Sequence, residues 1–171
     1  MPGVQDINRN DLGVMGAGVL AFIASFLPYY GYSFKGVTVA GQHFGGSSAS
    51  VTAWHSYAIL GLFLIFAGAI IIAVRTFATM PTMPVGVHVL AAGLAALGTF
   101  LVILRAYTAP SASGPGGSVG VRWGAYILFV AGIAEVVFAL LGMRESGEKV
   151  AWNSSGPAAP AGPPPAAPPP A

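Results

Sequence analysis

The sequence contains no cysteine, which excludes disulfides and thiolate chemistry and leaves the redox compartment open. It is almost as poor in charge. Seven Lys and Arg and five Asp and Glu in 171 residues make 7% charged, against roughly a quarter in soluble domains. A chain with so little polar surface cannot cover a globule in water, so its apolar residues are expected to face lipid. A formal charge of +2 with no Lys/Arg run excludes a phosphate track, and no nucleic acid partner is expected.

What the chain has in quantity is apolar sequence: 55% of residues are hydrophobic and the mean hydropathy is +0.75. Four continuous runs reach the length of about 20 residues that a helix needs to span a bilayer core. They predict membrane helices at 12–30, 53–75, 85–105 and 122–143. Continuous runs exclude barrel strands, which alternate in polarity and are about ten residues long. The expected fold class is an all-α membrane protein, a four-transmembrane-helix bundle solvated by the lipid bilayer. Asn10 and Asp11 are placed to cap the first helix, and Pro84 precedes the third. Tyr29, Tyr30, Trp54, Tyr57, Tyr107, Trp123 and Tyr126 fall near the same helix ends and predict an aromatic belt.

The first run carries one Arg and one Asp ahead of it, exceeds a signal h-region and lacks a small-x-small cleavage site, so it reads as a retained helix. Residues 1–11 and 144–171 then lie on one side with the short loop 76–84. That side holds Arg9, Arg75, Arg144 and Lys149, and the other holds Lys35, Arg105 and Arg122. The majority places both termini in the cytoplasm and the protein in the plasma membrane.

In the outer loop 31–52, "VTVAGQHF" alternates as a short hairpin does, and the Gly/Ser run after it reads as a flexible return. The outer loop 106–121 reads as coil. After Lys149 the Pro/Ala-rich "GPAAPAGPPPAAPPPA" predicts a disordered tail sampling polyproline II. Its PxxP spacings lack basic flanks, which favours a spacer over a docking motif.

One carboxylate interrupts the fourth run. Gly124, Ala131, Glu135, Ala139 and Gly142 differ by 7, 4, 4 and 3, so they share one helix face. Small residues mark close helix approach, which turns Glu135 inward. A charge at that depth costs about 3 kcal/mol, so the group is expected to be protonated, paired or hydrated. His88 is the expected ionisable partner, with Ser25 and Thr99 as hydroxyl donors. Two readings follow: a neutral Glu acting as interhelical hydrogen-bond glue, which is favoured, and a proton or cation site. Gly13, Ala17, Ala21 and Ser25 recur every four residues and predict a packing seam on the first helix, matched by Ala131 and Ala139 on the fourth. The same seam allows a homo-oligomer or a membrane-protein partner.

His43 and His55 lie on a face without Asp or Glu, so neither a zinc site nor a Ser-His-Asp triad is expected there. The chain reads as no enzyme, with no catalytic residue, no metal and no cofactor. Lys35, Arg105 and Arg122 make that face cationic; Arg105 and Arg122 read as headgroup anchors, and the alternative is attraction of the three for anionic lipid or envelope polymer.

"FIASFLPYYG" closing the first run, a Gly/Ser loop and "SVTAWHSYAILG" opening the second resemble small uncharacterised four-transmembrane-helix integral membrane proteins of high-GC actinobacteria. The likeness spans roughly residues 10–145 and implies the same membrane fold, with no activity and no functional residues to carry over. The plan is also similar to that of claudin-like proteins, whose paired loop cysteines this chain lacks. The expected function is structural or partner-binding and non-enzymatic. The alternative is a small channel or proton-coupled transporter subunit using Glu135 and His88.

Overall fold

The structure, a computed structural model, describes residues 7–78, 85–114 and 116–148. The Pro/Ala-rich tail expected after Lys149 and most of the 76–84 loop lie outside the described residues.

Helix α1 (Arg9–Ser25) starts where the Asn8 side chain accepts a hydrogen bond from the Asn10 backbone N–H at 2.8 Å, so Asn8 is the cap and Asn10 lies inside the first turn. Helix α2 (Ala58–Phe77) ends with Arg75 in its last turn, where a cation suits the helix dipole. Helix α3 (Val87–Thr108) follows the 3-residue-distant Pro84, and helix α4 (Trp123–Ser146) stops at Gly147, left-handed at φ 68°. The helices pack side by side as a ring, α1 and α3 each touching α2 and α4. Three of them, α2, α3 and α4, are long and apolar enough to cross a membrane; α1, 17 residues ending at Ser25 where the span was expected to reach 30, is not among them, which corrects the four-transmembrane-helix expectation.

The core mixes small residues, such as Ala21, Ala91, Ala95, Ala125 and Ala131, with a few aliphatics, Leu62, Ile65, Ile72 and Leu128, while the large side chains of Phe22, Phe63, Ile70, Phe100 and Ile133 point outward. Along α4 the step from Val130, 64% exposed, to Ala131, 0% exposed, shows the pattern in adjacent residues.

The all-α expectation is corrected by the strands that join the helices. Strands β1 (Tyr30–Phe34), β4 (Ser47–Val51), β5 (Ala112–Gly114) and β6 (Gly117–Val121) form one antiparallel sheet in the order β4-β1-β6-β5. Strands β2 (Val37–Val39) and β3 (Gln42–Phe44) form a separate hairpin, where the alternation of "VTVAGQHF" expects one. Its turn residues Ala40 and Gly41 both have positive φ, at 50° and 81°. The segments expected as flexible return and coil supply β4, β5 and β6. Their Gly/Ser composition has low strand propensity, and the pairing partners lie up to 91 residues away (Tyr30↔Val121, 121 − 30), beyond the reach of local pattern.

Register divides the sheet into two unlike faces, because directly opposed residues share a face and neighbours along a strand alternate. One face carries Tyr30, Tyr32, Phe34, Ala49, Val51, Val119 and Val121. The other carries only Ser and Gly: Ser48, Ser33, Ser118 and Ser113 form a row across all four strands, with Ser50, Gly31 and Gly120 beside it. The Ser33 and Ser118 hydroxyls hydrogen-bond at 3.2 Å within that row. The sheet is fixed to the helices at its root. The Tyr29 hydroxyl donates to the Val102 carbonyl of α3, the Ala53 N–H donates to Ser25, and the Gly124 N–H donates to Pro28.

Candidate functional site

Glu135 occupies the interior of the helix ring and is 0% exposed. Glycines make the room for it. A Cβ added at Gly68 of α2 would lie 2.8 Å from Glu135 Oε1 and 3.1 Å from the Ala91 carbonyl of α3. One added at Gly18 of α1 would lie 4.0 Å from Glu135 Oε2 and 2.4 Å from the Ala69 Cβ. The carboxyl therefore stands where α4 faces α1 and α2, in the space two absent side chains leave. Neither oxygen has a hydrogen-bond partner among the described residues, and nor does the buried Thr99 hydroxyl. Thr99 packs on Gly132, one turn from Glu135 toward the sheet; a Cβ there would meet its Oγ1. A buried polar group without a partner forfeits its hydration for no return, a cost of about 1–3 kcal/mol or more.

The other residues expected around Glu135 are engaged elsewhere. Ser25 sits at the sheet end, where its hydroxyl donates to the Phe22 carbonyl at 2.7 Å and accepts from the Trp54 indole N–H at 3.0 Å. His88 packs on Gly142, seven residues along α4 from Glu135 (142 − 135), or about 10 Å at 1.5 Å per residue. The seam residues Ala17, Ala21, Ser25, Ala131 and Ala139 are buried inside this single chain, and Gly13 lies under the Phe138 ring.

His88 instead centres a second polar group at the end of the ring opposite the sheet, one that the sequence pattern did not mark. Each helix, or the residues just past it, supplies one member: Asp11 from α1, Arg75 from α2, His88 from α3 and Glu148 beyond α4. His88 Nε2 lies 2.8 Å from Asp11 Oδ1, and Nδ1 lies 2.6 Å from Arg75 Nη1 and 3.2 Å from Glu148 Oε1. With the proton on Nε2 the ring donates to Asp11 and accepts from Arg75 at Nδ1. Arg75 also pairs directly with Glu148 at 3.1 Å.

Glu148 has a structural task as well. Its Oε2 accepts the His88 backbone N–H at 2.9 Å, satisfying a first-turn donor of α3 that no side chain of α3 itself caps. Burial alone would raise its carboxyl. The hydrogen bonds from the His88 ring and backbone, with the charges of His88 and Arg75, outweigh that and hold it below the usual carboxylate range. Nearby, Asn8 Nδ2 donates to Glu145 at 2.7 Å, tying the start of α1 to the end of α4. The signal for this cluster was present in the sequence, since every member sits within a turn or two of a helix end on the same side.

Among the described residues no three His, Asp or Glu side chains stand as metal ligands. His43 is held within the hairpin by Thr38, its Nδ1 lying 3.0 Å from the hydroxyl. Comparison with protein-family models and with curated proteins finds no match to this chain.

Proposed function

We propose that this chain is a non-enzymatic, multi-pass protein of the cell membrane that binds a partner at the sheet-bearing face, with residues 7–11 and 144–148 on the cytoplasmic side. The observation that carries the reading is the mounting of the sheet. All four strands run directly out of or toward helix ends, and three interelement hydrogen bonds, from Tyr29, Ala53 and Gly124, root them there. A platform so fixed presents its hairpin with Val39 and Phe44 exposed, beside exposed Tyr32 and Phe34. The Lys/Arg asymmetry supports the orientation, and the three apolar helices support the membrane.

The test is affinity capture from native membranes with the intact chain and with residues 36–46 replaced by a short Gly/Ser turn. Loss of a reproducible partner on replacement is the expected result. An unchanged set of captured proteins would contradict the platform reading.

A second reading rests on one observation, the lack of a side-chain partner for Glu135 among the described residues. A carboxyl in that state suits reversible protonation or cation capture, the default use of an ionisable group inside a membrane. In this reading Glu135 acts without His88, which Asp11 and Arg75 hold at the ring's end. Proteoliposomes would dissipate a proton or cation gradient, and Glu135→Gln would abolish the flux; a tight vesicle with intact protein removes this reading.

A further inference from the structure

The Ser/Gly face of the sheet ends at a cation. Continuing the alternation of β6 past Ser118 and Gly120 brings Arg122 onto the same face, since its backbone is still extended at φ −107°, ψ 167°. Ser111, just before β5, joins from the opposite side, its Cβ 3.8 Å from the position a Gly120 Cβ would take. Together Ser111, Ser113, Ser118, Gly120 and Arg122 line an open depression of about 310 Å³. We propose that this depression binds a phosphate-type oxyanion, the shared chemistry of a lipid headgroup and a free phosphate ester.

Three features converge on that ligand. Hydroxyls and a guanidinium are the donors that a tetrahedral oxyanion needs, and Arg supplies them as a planar, permanently charged fork. No carboxylate competes: the described acids are Asp11, Glu145 and Glu148 at the far end of the ring and Glu135 inside it, and none pairs with Arg122. The glycine at 120 leaves the floor open, so the anion can approach the strand backbone closely. The location suits a membrane source. Trp123 and Tyr126, both exposed, follow Arg122 along α4, and such aromatic rings sit at headgroup level.

The inference rests on the sheet acting as a binding platform and names one ligand class for it. The purified full chain would be placed in nanodiscs of phosphatidylcholine alone, or with phosphatidylglycerol added, and bound lipid counted by native mass spectrometry. Inorganic phosphate and soluble glycerol phosphate would be titrated in a separate arm against detergent-solubilised protein. Binding in either arm is expected to weaken about tenfold or more in Arg122→Gln, the loss of one charge-assisted contact, and to weaken in Ser113→Ala/Ser118→Ala. Arg105→Gln, which removes the same charge outside the depression, is expected to leave binding of free phosphate and glycerol phosphate unchanged. Retention in the lipid arm alone identifies a headgroup, and retention in both identifies the phosphate group itself. Absence of binding in both arms, or equal loss in the Arg122 and Arg105 variants, overturns the proposal. Circular dichroism and the unfolding midpoint confirm that each variant is folded, and Arg122→Lys provides a folded, charged comparison expected to bind with intermediate affinity. Loss of phosphate binding with hairpin-dependent protein capture intact would sink this inference and leave the platform reading standing.

Discussion

Glu135 and Glu148 are two carboxyls of one helix and its end, and their surroundings give them opposite consequences. The first is sealed among Gly18, Gly68 and α4, where the Ala69 backbone lies near but neither oxygen makes a hydrogen bond of ordinary geometry among the described residues, so its burial opposes folding. Replacing it with a similar-sized apolar side chain removes that opposition. Glu135→Leu is expected to stabilise the protein by about 1–3 kcal/mol, read as a raised unfolding midpoint in detergent. A lowered midpoint would mean that the carboxyl has a hydrogen-bonding partner in the folded protein. Glu148 works the other way, because its folded form is held below the ordinary carboxylate value. A depressed value contributes stability that is present above the unfolded pKa, about 4.3, and disappears as pH falls through the folded one. Wild type and Glu148→Gln should therefore differ by a constant midpoint at neutral pH, and the gap should close as pH is lowered beneath about 4. A gap that persists at low pH would assign Glu148's effect to packing. Neither role is legible from residue type. Inward orientation of Glu135 followed from the spacing of its small neighbours, whereas the engagement of His88 with three other helix ends depends on ring closure that no single segment records.

At the scale of elements, the helices meet through glycines more than through the alanine ridge of α1. Gly61 of α2 and Gly98 of α3 face each other so closely that a Cβ on Gly98 would lie 2.5 Å from the Gly61 carbonyl oxygen and 2.9 Å from the Ile65 N. Both obstacles are backbone, so the two helices would have to separate. Gly98→Ala is expected to destabilise by about 1–3 kcal/mol. Gly93→Ala, on the same helix with nothing within 4 Å of the added Cβ, is expected to be neutral or to stabilise by up to about 1 kcal/mol. Equal effects from the two substitutions would remove the close α2–α3 crossing from the account. Helices α2, α3 and α4 were legible as apolar spans because long apolar runs admit few alternatives, whereas α1 ends at Ser25, five residues short of the expected 30, and is not among the three long enough to cross a membrane. The sheet was not, because Ser and Gly strands carry no hydrophobic alternation and find their partners across the two loops. The hairpin at 37–44 shows the contrast: Val37 and Val39 alternate locally, its turn lies between its strands, and its pairing needs nothing distant.

The whole molecule is a stack of three environments along the helix axes. An ionic group, Asp11, Arg75, His88 and Glu148, closes one end of the ring; a sheet with a Ser/Gly face and an aromatic face closes the other. Between them alanines and glycines pack beside a few buried aliphatics such as Leu62, Ile65, Ile72 and Leu128, many of the larger side chains point outward, and one carboxyl stands in the centre. Each level supports the next. Small residues let the helices approach, the ionic group ties their ends on one side, and the hydrogen bonds of Tyr29, Ala53 and Gly124 root the sheet on the other. Sequence composition reached the middle layer and missed the ends, where long-range pairing decides the structure.

The absence of cysteine makes that layered arrangement directly measurable. Single substitutions Ser113→Cys on the sheet, Ile70→Cys on the outward face of α2 and Ala95→Cys inside the ring would be reacted, in membrane vesicles, with a charged maleimide and with a lipid-soluble one. Position 113 should react with the charged reagent, position 70 only with the lipid-soluble one, and position 95 slowly with both. Rapid labelling of position 70 by the charged reagent would show water where this account requires acyl chains, and would contradict it.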